Sequence, residues 1–143
     1  FAYARYLIDL ESYAEVYPTH TRSLRVDTSF FASNMDDSSV FQIRLAAFSH
    51  APQDIARIWN DREVLFDQVL QHVGRNHITK PGQDSEWHKL GASIEIPPGT
   101  RSVVISLGAG MVDSNADKSN HYLDDIRVSL VDSPLAIYAD NAQ

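Results

Sequence analysis

The segment His121-Tyr122-Leu123-Asp124-Asp125-Ile126-Arg127-Val128-Ser129-Leu130-Val131 decides the fold. Tyr122, Ile126, Val128 and Leu130 fall on one side of an extended chain, the period-two mark of a half-buried strand. Asp124 shares that parity. It is therefore expected to point inward at the end of an apolar face, where a carboxylate is costly unless something pairs with it. A second signature stands upstream, from Trp87 to Leu107. Leu90, Ala92, Ile94 and Ile96 alternate with polar residues, Pro97-Pro98-Gly99 makes a turn, and Arg101 to Leu107 is apolar again.

Outward from these two stretches the β rhythm continues. Ala4, Tyr6, Ile8 and Leu10 alternate, and so do Leu24, Val26, Thr28, Phe30 and Ala32, and then Phe41, Ile43, Leu45 and Ala47. Residues 51–60 break the rhythm. Pro52 suits a first helical turn, and Ile55, Ile58 and Trp59 follow at helical spacing. Glu63 to Val73 is read as a further strand, with either Leu65, Val69 and Val73 or Val64, Phe66 and Leu70 facing in. Gly74 to Ser85 and Gly108 to Asn120 are read as loops. Seven strands and one helical segment predict an all-β fold, an antiparallel β-sandwich with one short helix near 52–60. Residues 1–132 form the sandwich, and 133–143 form a tail or linker.

Composition narrows the function classes. The chain has 143 residues, 43% of them hydrophobic, which is enough for one domain with its own core. Lys and Arg number 12 against 19 Asp and Glu, a net charge of 12 − 19 = −7. With no basic run, a nucleic-acid partner is not expected. No stretch is apolar enough for membrane insertion as a helix. There is no cysteine and no Asn-x-Ser/Thr acceptor.

Tyr6-Leu7-Ile8-Asp9-Leu10, the Trp87 strand with its Ile96-Pro97-Pro98-Gly99-Thr100-Arg101 turn, and Tyr122-Leu123-Asp124-Asp125-Ile126 stand in one order along the chain. In that order they resemble the galactose-binding-like β-sandwich. This is the jelly-roll of carbohydrate-binding modules and extracellular bacterial domains, and its scheme is shared by F-box-associated sugar-binding domains. The resemblance implies a non-catalytic carbohydrate-binding or adhesion module, extracellular or at the cell surface, with a glycan or polysaccharide as partner. In the family an N-terminal strand with a Glu precedes the Tyr6-like strand, and here that segment is not present. The resemblance therefore also implies an open edge. That edge supports an alternative function, a structural β-sandwich subunit of an extracellular assembly or filament, self-associating by strand or tail exchange. Leu135, Ile137 and Tyr138 are the apolar residues of a donor tail. The family's matching Asp often helps hold a structural calcium, which makes Asp124 the metal candidate, with a hydrogen-bonded carboxylate as the alternative. Asp113, Asn115 and Asp117 alternate in a loop but lack the Gly and Glu offsets of an EF-hand.

Sugars are held by aromatic rings on a wet sheet face and by bidentate side chains. Phe31 and Phe48 have outward parity, Arg44 lies beside them, and Trp59 ends the helical segment. These four are the candidate ligand site. The competing reading has the helix or the tail covering Phe31 and Phe48 as a second small core. Trp87 reads as core or rim. Histidines 20, 50, 72, 77, 88 and 121 show no zinc spacing, and no nucleophile motif or facing carboxylate pair is present. Catalysis is not expected.

Overall fold

The computed structural model describes residues 1–10, 20–33, 37–80, 86–113 and 120–134. The strands are β1 (Ala2–Asp9), β2 (His20–Ala32), β3 (Ser39–Phe48), β4 (Gln71–Ile78), β5 (His88–Glu95), β6 (Ser102–Met111) and β7 (His121–Pro134), with helices α1 (Pro52–Arg57) and α2 (Arg62–Asp67) between β3 and β4. They form a four-stranded sheet in the order β1-β6-β3-β4 and a three-stranded sheet in the order β5-β2-β7. Every pairing is antiparallel. The fold is an all-β sandwich, as the alternation predicts.

The core lies between the sheets. Leu24, Val26 and Phe30 of β2 and Leu90, Ala92 and Ile94 of β5 meet Phe41, Ile43 and Leu45 of β3 and Val103, Ile105 and Leu107 of β6. Phe30 and Phe41 stack across the interface at 4.7 Å. A second core forms on the far side of the four-stranded sheet. There Ile55 of α1 and Leu65 of α2 close over Ala46, Phe48 and Val104, flanked by Leu7, Ile58, Trp59 and Val69. This explains why Leu45-Ala46-Ala47-Phe48 and Val103-Val104-Ile105 are continuously apolar: those segments are buried on both faces.

Four sequence expectations need correction. The stretch 63–73 is not one strand. Its first part is α2, started by Asp61, whose carboxylate accepts from the Val64 amide at 3.2 Å. Six residues are too few for helical periodicity to register, so two short helices replace the single one expected. Next, the expected loop from Gly74 is the body of β4. By register β4 turns Gln71, Val73, Arg75 and His77 to the inner face, and as an edge strand it half-buries only Val73 and His77, so it carries little apolar signal.

Third, β6 runs past Leu107 to Met111. Gly108 and Gly110 sit in it because the rings of Tyr3 and Phe1 occupy the space a Cβ would take. Finally, the face of β7 inverts part-way. Asp125 has φ 52, and the register against β2 shifts between Asp27 and Ser29. This β-bulge puts Leu123 opposite inward Phe30 and Leu130 opposite inward Leu24, while Tyr122 pairs with Phe31 and Asp124 with Ser29 on the outer face. Tyr122 and Asp124 therefore point out, not in. The Thr28 hydroxyl donates to the Asp124 carbonyl at 3.0 Å, and the Asp125 amide donates to Asp124 Oδ1 at 2.8 Å. Local hydrogen bonds thus hold the bulge, and Asp is among the few residues that tolerate its left-handed turn.

The Pro97–Thr100 turn forms as expected. Gly99 has φ 85, and the amide and hydroxyl of Thr100 both donate to the Pro97 carbonyl at 3.2 and 2.7 Å. Among the described residues no strand closes the side of the sandwich between the edge strands β1 and β7. Tyr6 (41% exposed) and Val128 (45%) face inward by register but are not covered. A cleft of about 590 Å³ lies there, bounded by Ala2, Ala4, Leu107, His121 and Leu123. The expected donor segment is 133–143: Ser133 and Pro134 pair with Thr21 and His20 at the end of β7, while residues 135–143 lie outside the described residues, as do Asn115 and Asp117 of the acidic loop.

Candidate functional site

The four residues singled out as a ligand group do not meet. Phe48 is fully buried beneath α1 and α2, so the helical cover expected as the alternative is its true environment. Trp59 borders the same cluster. Its carbonyl accepts from Arg5 Nη1 at 3.0 Å, and the Arg5 guanidinium stands 5.8 Å from its ring. Arg44 lies on the outer face of the four-stranded sheet, opposite Ser106 of β6 and Gly74 of β4. Phe31 belongs to the other sheet, on its outer face.

There Phe31 has other partners. Its ring centroid lies 5.5 Å from Trp87 and 6.1 Å from Tyr122, with planes tilted by 42° and 54°. Register accounts for the row. Tyr122 is the direct β7 partner of Phe31, and Trp87 lies one residue before His88, the β5 partner of Phe30. Trp87 and Tyr122 are each 50% exposed. Three contiguous rings thus lie on a sheet face outside the core, two of them half-exposed. The outward parity of Trp87 was visible in the sequence, since Leu90, Ala92 and Ile94 take the other face. Tyr122 was hidden by the bulge.

Polar rows continue the same face. Lys89, Ser29 and Asp124 come next, followed by Gly91, Asp27 and Arg127, then Ser93, Arg25 and Ser129. A shallow cleft of about 470 Å³ opens over them. Arg25 holds Asp27 through both arms, Nε to Oδ2 at 2.9 Å and Nη2 to Oδ1 at 2.8 Å, and its Nη1 reaches the Ser93 hydroxyl at 3.3 Å. Gly91 makes room for that pair, because a Cβ there would collide with both side chains. Arg127 donates from Nε to Asp125 Oδ1 at 3.0 Å, which raises its pKa above the usual arginine value. Three cations (Arg25, Lys89, Arg127) thus stand with three carboxylates (Asp27, Asp124, Asp125) along these rows, and Glu95 follows on the next row of the same face.

Asp124 is exposed, with one oxygen engaged by the Asp125 amide. No group of three or more His, Asp or Glu side chains converges anywhere among the described residues, whereas calcium takes six to eight oxygens. Among those residues no helix is long and apolar enough to cross a membrane. No family model matches the chain, and no curated protein matches it, so the functional reading rests on the residues themselves.

Proposed function

We propose that this chain is a non-catalytic carbohydrate-binding module of an extracellular or cell-surface protein, with a galactose-binding-like jelly-roll fold. A glycan lies along Trp87, Phe31 and Tyr122. The row of three rings at 5.5 and 6.1 Å spacing is the observation that supports this reading. Aromatic faces take the CH faces of pyranose rings by dispersion and apolar burial, and they lose few rotamers on binding. The Arg25–Asp27 and Arg127–Asp125 pairs beyond the row offer donors and acceptors to sugar hydroxyls while balancing each other's charge. The tilts of 42° and 54° suit a single twisting chain better than a flat crystalline surface. The test is a glycan array followed by affinity electrophoresis in gels that contain the best soluble polysaccharide. Trp87→Ala and Tyr122→Ala should each weaken binding by about tenfold or more with the melting curve unmoved. Retention equal to wild type in the double variant would sink the proposal.

One observation favours a second reading, a structural subunit joined by strand or tail exchange. Tyr6 and Val128 face the open side between two edge strands, the kind of opening that an added strand fills. Because β7 is paired to Pro134, the tail is best cut after that residue. Sedimentation of chains ending at 134 and at 143 tests the idea. Association lost in the shorter chain supports it, and a monomer at high concentration with the tail intact rules it out.

A further inference from the structure

The outer face of the four-stranded sheet carries a different chemistry from the aromatic row. Arg5, Ser106, Arg44 and Gly74 lie side by side across β1, β6, β3 and β4. Three arginines elsewhere pair with aspartates: Arg25 with Asp27, Arg57 with Asp54 and Arg127 with Asp125, at 2.8, 3.6 and 3.0 Å. Arg44 has no carboxylate partner among the described residues, and its Nε is buried without a hydrogen-bond acceptor. Gly74 lets its guanidinium lie across β4, with Nη1 3.8 Å from where a Cβ would stand. Two residues back on the same face of β3, the Oε1 of Gln42 is also buried and unpartnered. Arg5 adds a second positive charge and is fixed by the carbonyl and ring of Trp59. Buried polar groups in native proteins are as a rule satisfied, and a guanidinium is shaped for a planar or tetrahedral oxyanion.

We propose that this face is a second binding site, for an oxyanion carried by a glycan: the carboxylate of a uronic acid or a sulfate ester. Arg44 is the direct contact through the outer nitrogens of its guanidinium, with Gln42 beside it and Arg5 as the flanking cation. The site is independent of the aromatic row, which lies on the opposite outer face.

Affinity electrophoresis with polygalacturonate and with dextran sulfate, against uncharged dextran, tests it. Wild type should be retarded by at least one polyanion despite its charge of −7, and not by dextran. Retardation by polygalacturonate alone identifies a carboxylate, by dextran sulfate alone a sulfate, and by both a general oxyanion site. Arg44→Gln should weaken binding about tenfold or more, Gln42→Ala less, and the Trp87→Ala/Tyr122→Ala double variant should bind as wild type. If Arg44→Gln does not fold, Arg44→Lys serves in its place. It keeps the charge but loses the Nε donor and the fork, and it should bind more weakly than wild type. The proposal is overturned if neither polyanion retards the wild type. It is equally overturned if the Arg44 variants bind as wild type or if the aromatic double variant abolishes binding.

Discussion

Replacing Phe48 by alanine should be among the most damaging single changes in this protein. The ring is fully buried and closed in by Ala46, Ile55, Leu65 and Val104. Truncating a buried Phe removes its transfer free energy and leaves a cavity, together about 3–5 kcal/mol. Total stability of a domain is about 5–15 kcal/mol, so this is a large share. For a domain of this size each kcal/mol moves the melting temperature by roughly 3–4 °C, which places Phe48→Ala about 10–20 °C below wild type. Phe31→Ala is the internal control. Its ring lies half-buried on an outer face, so truncation opens no enclosed cavity and costs about 1 kcal/mol. Circular dichroism melts of both variants decide the matter. A Phe48→Ala shift no larger than that of Phe31→Ala would mean that the helices do not seal a second core.

The bulge gives a second prediction: Asp125 sits at φ 52, so Asp125→Val should cost about 1–2 kcal/mol in urea unfolding while Asp125→Gly is neutral or stabilising. Stability should fall as pH drops below the ordinary histidine pKa of 6.5, because burial, and for His77 also neighbouring His88, depress the native pKa values of His77 and His121. The unfolded chain then binds protons that the folded one refuses, so the contribution is present above 6.5 and lost as pH falls through the native pKa. Changing both histidines to Gln should flatten that slope in melts recorded from neutral to mildly acidic pH. Calcium at millimolar concentration should leave the melting temperature unchanged against a chelator control, and a clear rise would mean that Asp124 does join a cage built from backbone carbonyls.

Most of the sandwich was legible because β2, β3, β5 and β6 each need one apolar face. Residues such as Val26, Ile43, Ile94 and Ile105 report that face by parity alone. The failures have physical causes. β4 is an edge strand whose residues need no apolar face, so Gly74 and Asn76 read as loop. α2 is shorter than two turns, and its only local signal was Asp61 at the cap. Gly108 and Gly110 read as a turn, because nothing in the sequence says that the rings of Phe1 and Tyr3 will lie over them. The site was half legible. Outward parity correctly put Phe31 on a solvent-facing surface, but parity within a strand does not say which sheet the strand joins. Phe48 and Phe31 therefore looked like neighbours while lying in different sheets. The bulge at Asp125 then hid Tyr122, since one extra residue sends every side chain before it to the opposite face.

Indole fluorescence reports directly on the proposal that a glycan lies on Trp87. The chain has two tryptophans, and Trp59 lies against Arg5 on the far side of the molecule. In a Trp59→Phe variant the emission comes from Trp87 alone, a half-exposed ring that a bound sugar would shield from water. Titration with the soluble polysaccharide selected on the array should shift that emission to shorter wavelength and saturate. The dissociation constant should match that from affinity electrophoresis. Saturable binding in the gel with the Trp87 emission unmoved would contradict the account, because the sugar would then be bound somewhere other than the aromatic row.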